Sequence, residues 1–371
     1  MSNKTTPMWA NTRISARLDI KYPIIQGPLG GLSSQRLTAA VSNYGGLGSF
    51  GAHGLSPSAI RDVIAELRSM TDKPFAMNLW VSMEDEGAKA SDEATFERSL
   101  ATLAPHIQSL GGTLPTYAPY SAMKFEEQAR ALIDAKVPAF SFIYGIPPKE
   151  ILDECRAKGI VIIGTATTPD EAIELQKANV DVVAASGFEA GGHRGSFLRA
   201  SEESLTGTFS LVPQIVDLVS APVVAAGGIA DARGIVAAFA LGAEGVQIGT
   251  AFLACEESGA SLPHREALLS GQAGKTALTR GFTGRLGRGI KNRLLDTMNA
   301  PGAEILPYPL QRFLMRNVSG PAEKAGRKEL IPMWAGQSAN LTRFTKAAEL
   351  VDALVSGVSA LVGETFVFKG K

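Results

Sequence analysis

The chain has 371 residues, 45% of them apolar, and its 36 basic side chains balance 36 acidic ones. That is enough apolar material for a large buried core, and a net charge of zero argues against a broad field for nucleic acid or an anionic membrane. Cys155 and Cys255 have no CxxC or histidine pair beside them, which argues against a disulfide framework or structural zinc. With a polar stretch at Met1 to Arg17 and no run of about 18 apolar residues, a cytoplasmic protein is expected.

Along the chain, short apolar runs alternate with amphipathic helical patterns. The runs are Ile24 to Gln26, Leu47 to Gly51, Phe75 to Trp80, Ala139 to Tyr144, Ile160 to Thr165, Val180 to Ala185, Pro222 to Ala226 and Gly245 to Ile248. Helical patterns fill the gaps at Ser34 to Asn43, Pro57 to Ser69, Met123 to Ala135, Pro148 to Ala157, Pro169 to Ala178 and Ala232 to Leu241, several of them opened by a proline or a capping residue. Near-continuous apolar strands suit burial on both faces, so the predicted fold is α/β, a (β/α)8 TIM barrel. Two stretches break the rhythm. Met83 to Tyr120 is too long for an ordinary connection and is expected to cover the barrel mouth. Glu256 to about Asn340 shows helix and loop signals without a strand pattern, and an amphipathic helix follows at Leu341 to Leu354. The expected parts are a barrel at 12–255 with an insertion at about 83–120, a cap on the substrate side at 256–340, and a C-terminal helical segment at 341–366 packed on the barrel.

The stretch Ala185 to Gly195 runs from an apolar strand into a turn with several glycines and His193. Glycine lets main chain approach a flat ligand, and imidazole can donate or accept a proton near neutrality, so this reads as an active-site loop. Gly227, Gly228, Gly249 and Thr250 close the last two barrel strands, where backbone N–H groups can converge on a phosphate. Asn78 is polar within an apolar strand, and its amide could meet a heteroaromatic edge or a neighbouring loop. The match to G-x-G-x-x-G at Gly46, Gly48 and Gly51 follows a helix and lies within a strand, the reverse of a dinucleotide fingerprint, and is set aside. His53 is expected to be an ordinary loop residue, and His106 and His264 to sit in polar helical or loop surroundings. Arg285, Arg288, Lys291 and Arg293 form a basic cluster, either a solvated helix face or an attractor of anionic substrate. Trp334 either walls a ligand pocket or staples the cap to the barrel.

Together Pro23 to Pro28, Asn78, Glu189 to Gly195, Ala225 to Ile229, Gln247 to Thr250 and Trp334 to Gln337 resemble the nitronate monooxygenases, formerly called 2-nitropropane dioxygenases, and most closely their class I. The resemblance spans nearly the whole chain. It implies FMN, with its phosphate near Gly228, Gly249 and Thr250, its isoalloxazine near Asn78, Gly191, Gln247 and Ile248, and His193 as the catalytic residue. Ser186 stands where the family usually carries glutamine, and its shorter side chain puts one flavin contact in question. The implied reaction is oxidative denitrification of an alkyl nitronate such as propionate 3-nitronate, with O2, to a carbonyl compound and nitrite. The alternatives are an FMN-dependent, NAD(P)H-using enoyl-acyl-carrier-protein or quinone reductase of the same superfamily, and a non-catalytic flavin-binding barrel. The partners expected are the nitronate and O2, without nucleic acid, membrane or metal; the oligomeric state is left open.

Overall fold

The computed structural model describes residues 6–118 and 123–363. Residues 119–120 of the expected insertion and 364–366 of the expected C-terminal segment lie outside the described residues. The strands are β1 (Ile24–Gln26), β2 (Gly48–Gly51), β3 (Phe75–Trp80), β4 (Ala139–Ile143), β5 (Val161–Ala166), β6 (Val182–Ser186), β7 (Gly192–His193), β8 (Val223–Ala226), β9 (Gly245–Ile248), β10 (Thr276–Thr279) and β11 (Gly287–Ile290). Eight of them form one parallel sheet in the order β1-β9-β8-β6-β5-β4-β3-β2. A parallel bridge between Ile25 and Leu47 closes the two edges, with Leu47 N donating to Ile24 O and Gln26 N to Leu47 O, both at 2.9 Å. The sheet is thus a closed barrel sheathed by helices, as the apolar runs predict.

Local chemistry sets the helix starts. Ser34, Ser56 and Thr168 each accept a bond from a backbone N–H in the first turn, and Pro57 and Pro169 follow their caps. Strand alternation sorts the side chains. Ile25, Ala76, Ala139, Ile163, Val182, Ala184 and Val224 belong to one buried cluster inside the barrel together with Ile14 and Leu18 of the helix Arg13–Leu18, which plugs its lower end. Their neighbours Ile24, Met77, Phe140, Ile162, Val183, Ala225 and Val246 belong to the larger core between sheet and helices. Gly48 lets β2 lie against the helix Gln35–Tyr44, since a Cβ there would come within 1.9 Å of Thr38 O. The glycines that mimic a dinucleotide fingerprint therefore serve backbone packing.

The region after the barrel corrects the expectation of a strandless cap. β10, β11 and β7 form a three-stranded antiparallel sheet, with Gly287 opposite His193 and Arg288 opposite Gly192. Apolar alternation is absent because β11 reads Gly-Arg-Gly-Ile and is buried along its whole length. The helix Glu93–Ser109 of the insertion packs against the helix Leu310–Lys324, and Phe96, Leu100 and Leu103 share a separate core with Leu294, Leu314 and Val318. The last described helix is Ala347–Gly363, which packs on Gln35–Tyr44 and Ala232–Ala240. It begins six residues later than the sequence pattern suggests because Leu341 closes a separate 3-10 turn, Ala339–Leu341, while the Glu257 carboxylate accepts from Ala347 N at 3.1 Å and caps the helix from a distance. Among the described residues no helix is long and apolar enough to cross a membrane.

Candidate active site

Because all eight barrel strands are parallel, their carboxyl ends open on one face, and one cleft lies there. The alternation that buries Ala76, Ala139, Ile163, Ala184 and Val224 inside the barrel places Asn78, Ser141, Thr165, Ser186 and Ala226 one step higher on the same inner face, joined by Gln247 from β9. All six line the cleft. The interior thus changes from apolar at the base to mainly polar at the mouth. Asn78 Nδ2 donates to Ser141 Oγ at 2.9 Å, from the adjacent strand and not from a loop, and among the described residues its Oδ1 receives no protein donor. Ser141 and Thr165 were missed in the sequence, although the same two-residue period marks them. The alternation also corrects Ile248, which is 0% exposed in the core against the helices. Its carbonyl accepts from Gly27 N at 2.8 Å, and the residue is not among those lining the cleft.

Beside this polar layer, Gly227 and Gly228 both take left-handed backbone, with φ of 98° and 74°, and Gly249 follows β9. The N–H groups of Gly228, Ile229, Gly249 and Thr250 have no acceptor among the described residues. Thr250 Oγ1 accepts from Gly336 N at 2.9 Å, and Ser338 Oγ donates to Gly228 O. This donor set of backbone amides lining the cleft suits a phosphate monoester. With the uncommitted polar groups of Asn78, Ser186 and Gln247 across the cleft, it fits FMN, a flat heteroaromatic with a phosphorylated tail.

The stretch from the end of β6 to Leu198 is held by buried polar groups on and around it. Arg194, 5% exposed, donates to Thr167 O at 3.0 Å and also to Ser186 O and Ser204 O. Burial lowers its pKa to about 10, so it stays charged at neutral pH. The Glu171 carboxylate, 0% exposed, accepts from Thr167 N and Oγ1 and from Phe197 N, each at 2.6 Å, and from Leu198 N at 3.2 Å. Glu189, which the sequence associates with His193, instead accepts from Thr208 N and Oγ1 at 2.9 Å and caps the helix Thr208–Leu218. Gly191 lines the cleft, but its missing side chain is required elsewhere: a Cβ would lie 2.5 Å from Ala335 C and from Gly336 N. Gly191→Ala is therefore expected to cost about 1–3 kcal/mol through overpacking. It should also part the histidine loop from the Trp334 segment, read as a lower Tm and weaker flavin retention on gel filtration; an unchanged Tm would show that the segment yields freely.

His193 lines the cleft between two indoles. Its ring centroid is 4.9 Å from that of Trp80 and 4.7 Å from that of Trp334, and Nε2 lies 2.7 Å from Thr283 Oγ1. Burial, reinforced by the Arg285 and Arg312 guanidiniums, pushes its pKa down to about 3, so the ring is neutral at physiological pH. Trp334 both walls the cleft and packs edge-on against Phe282 at 5.2 Å, so the two roles weighed for it coexist.

Other expectations are revised. His53 is no ordinary loop residue: it is 2% exposed, stacks on Trp80 with centroids 3.9 Å apart and planes 4° apart, and requires Gly30, where a Cβ would meet its Cε1 at 2.5 Å. His264 is buried at 2% exposure, its Nε2 bonded to Trp334 O at 2.8 Å, while His106 sits on the Glu93–Ser109 helix with Nε2 3.2 Å from Thr297 Oγ1. The basic cluster is not a helix face. Arg285 is 5% exposed, bonds Asp85 at 2.8 Å and Ser82 O at 3.0 Å, and lies over the Tyr144 and Tyr308 rings. It clamps the cap to the barrel. Arg288 is buried in β11, whereas Lys291 and Arg293 pair at the surface with Asp296 and Glu329.

The geometry of an amide cradle, a polar barrel mouth and a neutral imidazole coincides with the comparisons to known proteins. The family model described as nitronate monooxygenase matches residues 11–357. The chain belongs to the nitronate monooxygenase family. A probable nitronate monooxygenase of Staphylococcus haemolyticus is 41% identical over 357 residues, covering 96% of this chain and 99% of the relative. One from Staphylococcus aureus strain Newman is 39% identical over 356 residues, with the same coverage. Among solved structures, nitroalkane oxidase from Streptomyces ansochromogenes superposes with a TM-score of 0.86 at 34% identity, covering 95% of this chain and all of that one. FabK from Thermotoga maritima superposes with a TM-score of 0.73 at 28% identity, covering 95% and 97%. As a nitronate monooxygenase family member the protein is a flavin-dependent oxidoreductase that acts on a small-molecule nitronate with O2.

Proposed function

We propose that the protein is an FMN-dependent enzyme of oxidative denitrification, converting alkyl nitronates of the propionate 3-nitronate type, with O2, to a carbonyl compound and nitrite. The reading rests on one observation: a neutral imidazole, His193, lines the same cleft as a cradle of unpaired backbone amides. Gly228, Gly249 and Thr250 would hold the phosphate of FMN through their N–H groups. Asn78, Ser186, Gln247 and the backbone of Gly191 would meet the ring system. Bound flavin supplies the electron-accepting chemistry of the reaction. The chain's own part is to orient the nitronate: His193 donates a hydrogen bond to an oxygen of the anion, and the Trp80 and Trp334 indoles on either side confine its carbon end and exclude water. If a neutral nitroalkane is taken instead, the imidazole would have to remove the α-proton. The proposed division of labour is a barrel at 12–255, a cap at 256–340 supplying β10, β11 and Trp334 to the cleft, and a C-terminal segment at 341–366. The protein is read as cytoplasmic, in keeping with two buried free thiols, Cys155 and Cys255.

The test is an anaerobic absorption spectrum of the purified holoprotein, taken before and after adding propionate 3-nitronate and, separately, NADH or NADPH. Bleaching of the flavin by the nitronate alone is expected. Bleaching by the nicotinamide alone would replace this reading with the enoyl-acyl-carrier-protein or quinone reductase, and a coloured protein inert to both would leave a non-catalytic barrel.

A further inference from the structure

We propose that Ser338 is a positioning residue for the cofactor's phosphate: its hydroxyl pins the Gly228–Ile229 peptide with the Ile229 N–H turned into the cleft, an inference that rests on the FMN reading above. Ser338 lies 110 residues beyond Gly228, in the segment 334–338 through which Trp334, Gly336 and Ser338 line the cleft. Its Oγ donates to Gly228 O. A carbonyl oxygen can only accept, so the direction of this bond is settled and the single proton of the hydroxyl is committed. Ser338 also precedes the 3-10 turn Ala339–Leu341, a position from which serine commonly bonds a backbone N–H of the turn that follows. No such bond is made here, and the hydroxyl serves the barrel instead. Gly336 N, donating to Thr250 Oγ1, and Gln337 N, donating to Glu189 O, both at 2.9 Å, fasten the segment just ahead of it.

In a planar trans peptide the C=O and the N–H point in opposite directions. Holding Gly228 O toward Ser338 therefore aims the Ile229 N–H the other way. That N–H has no acceptor among the described residues, and Ile229 lines the cleft. The pin acts where the backbone is least restrained: Gly228 is left-handed, with φ of 74°, it follows Gly227 at 98°, and neither carries a side chain to limit rotation of the peptide between Gly228 and Ile229. A flip of this one unit would present a carbonyl to the phosphate in place of a donor, turning an attraction into a repulsion. The preceding carbonyl has no comparable hold. Gly227 O is 2.9 Å from Thr208 Oγ1, but the single proton of that hydroxyl is also claimed by the Glu189 carboxylate at 2.9 Å. Ser338 is thus the part of the cap that shapes the amide cradle of the barrel, acting through a peptide and not by its own contact with the phosphate.

Exchange of the bound cofactor tests this in the holoprotein, because riboflavin carries the same ring system without the phosphate. Holoprotein equilibrated with equal FMN and riboflavin, then freed of unbound flavin, should hold mainly FMN. Ser338→Ala should lower the bound FMN-to-riboflavin ratio about tenfold, the loss of part of a hydrogen bond to a charged group, and Ser338→Thr, which keeps the hydroxyl, should restore it. A role limited to packing would weaken both flavins together, and a ratio unchanged in S338A would overturn the proposal. With isoleucine labelled by heavy nitrogen, the Ile229 amide proton should move downfield when FMN replaces riboflavin in the wild type and not in S338A. A fallen ratio with that signal intact would mean that the hydroxyl meets the phosphate itself, which equally overturns the assignment. If S338A does not fold, Ser338→Cys, whose thiol is a weak donor, should show the same fall to a smaller degree, and an unchanged ratio in it decides against the proposal. A wild type indifferent to the phosphate would remove the FMN reading together with this one, whereas a preference for FMN that S338A leaves unaltered removes the role of Ser338 alone.

Discussion

Replacing His193 by phenylalanine is expected to leave flavin bound and to lower kcat/KM for a nitronate by about 10- to 150-fold, the equivalent of about 1.5–3 kcal/mol for a hydrogen bond to a charged group. Phenylalanine keeps a planar ring between Trp80 and Trp334, at 4.9 and 4.7 Å, while removing both nitrogens, so the loop keeps its packing and loses only the donor. The proposed cofactor contacts come from β3, β6, β8 and β9 and their ends, none of which passes through the imidazole side chain. Flavin stoichiometry from the visible spectrum should therefore match the wild type, and steady-state oxygen consumption should reveal the loss. His193→Asn should fall between the two, because its amide can still present one donor near the position of Nδ1. Wild-type turnover in H193F would remove the histidine from the reaction. Loss of flavin in H193F would instead show that the ring supports the cradle.

The barrel was legible because its physics is local. Parallel strands buried on both faces must be apolar along their length, and Ser56-Pro57 and Thr168-Pro169 announce helix starts within a few residues of sequence. The glycines of the amide cradle were equally visible, since left-handed backbone at Gly227 and Gly228 calls for that residue. The partners of His193 were not. Thr283 lies 90 residues away and reaches the ring only because β11 pairs with β7, a strand of two residues whose Gly-Arg-Gly-Ile partner carries no apolar rhythm. The fate of the basic cluster was hidden for the same reason: Arg285 owes its burial to Asp85 and to three aromatic rings drawn from other segments. Glu189 shows the reverse error, in which proximity in sequence to a histidine suggested chemistry while the carboxylate caps a helix nineteen residues on.

Mild acid should weaken this protein before most of its carboxylates titrate. His53 and His264 are each 2% exposed, burial holds His53 far below its ordinary value, and it pushes His264 down to about 4. Arg312 adds to the effect at His53, and the bond to Trp334 O works against it at His264. In the unfolded chain both rings titrate near 6.5. Because the folded values are depressed, the unfolded state takes up protons that the folded state refuses, so this stability is intact above about pH 6.5 and drains away below it. At about pH 5 each of these two rings costs about 2 kcal/mol, and His193, held down to about 3 by the same burial, costs a similar amount, so the three together remove about 6 kcal/mol, a large share of a typical folding free energy of about 5–15 kcal/mol. Urea unfolding at about pH 7.5 and about pH 5 should show that difference, and equal midpoints would mean that none of these rings is held neutral in the native state. His264→Gln, whose amide can still donate to Trp334 O, should remove about a third of the loss. The two rings support the indoles that flank His193, His53 by stacking on Trp80 and His264 by holding the Trp334 carbonyl, so flavin fluorescence should rise over the same pH interval in which stability falls.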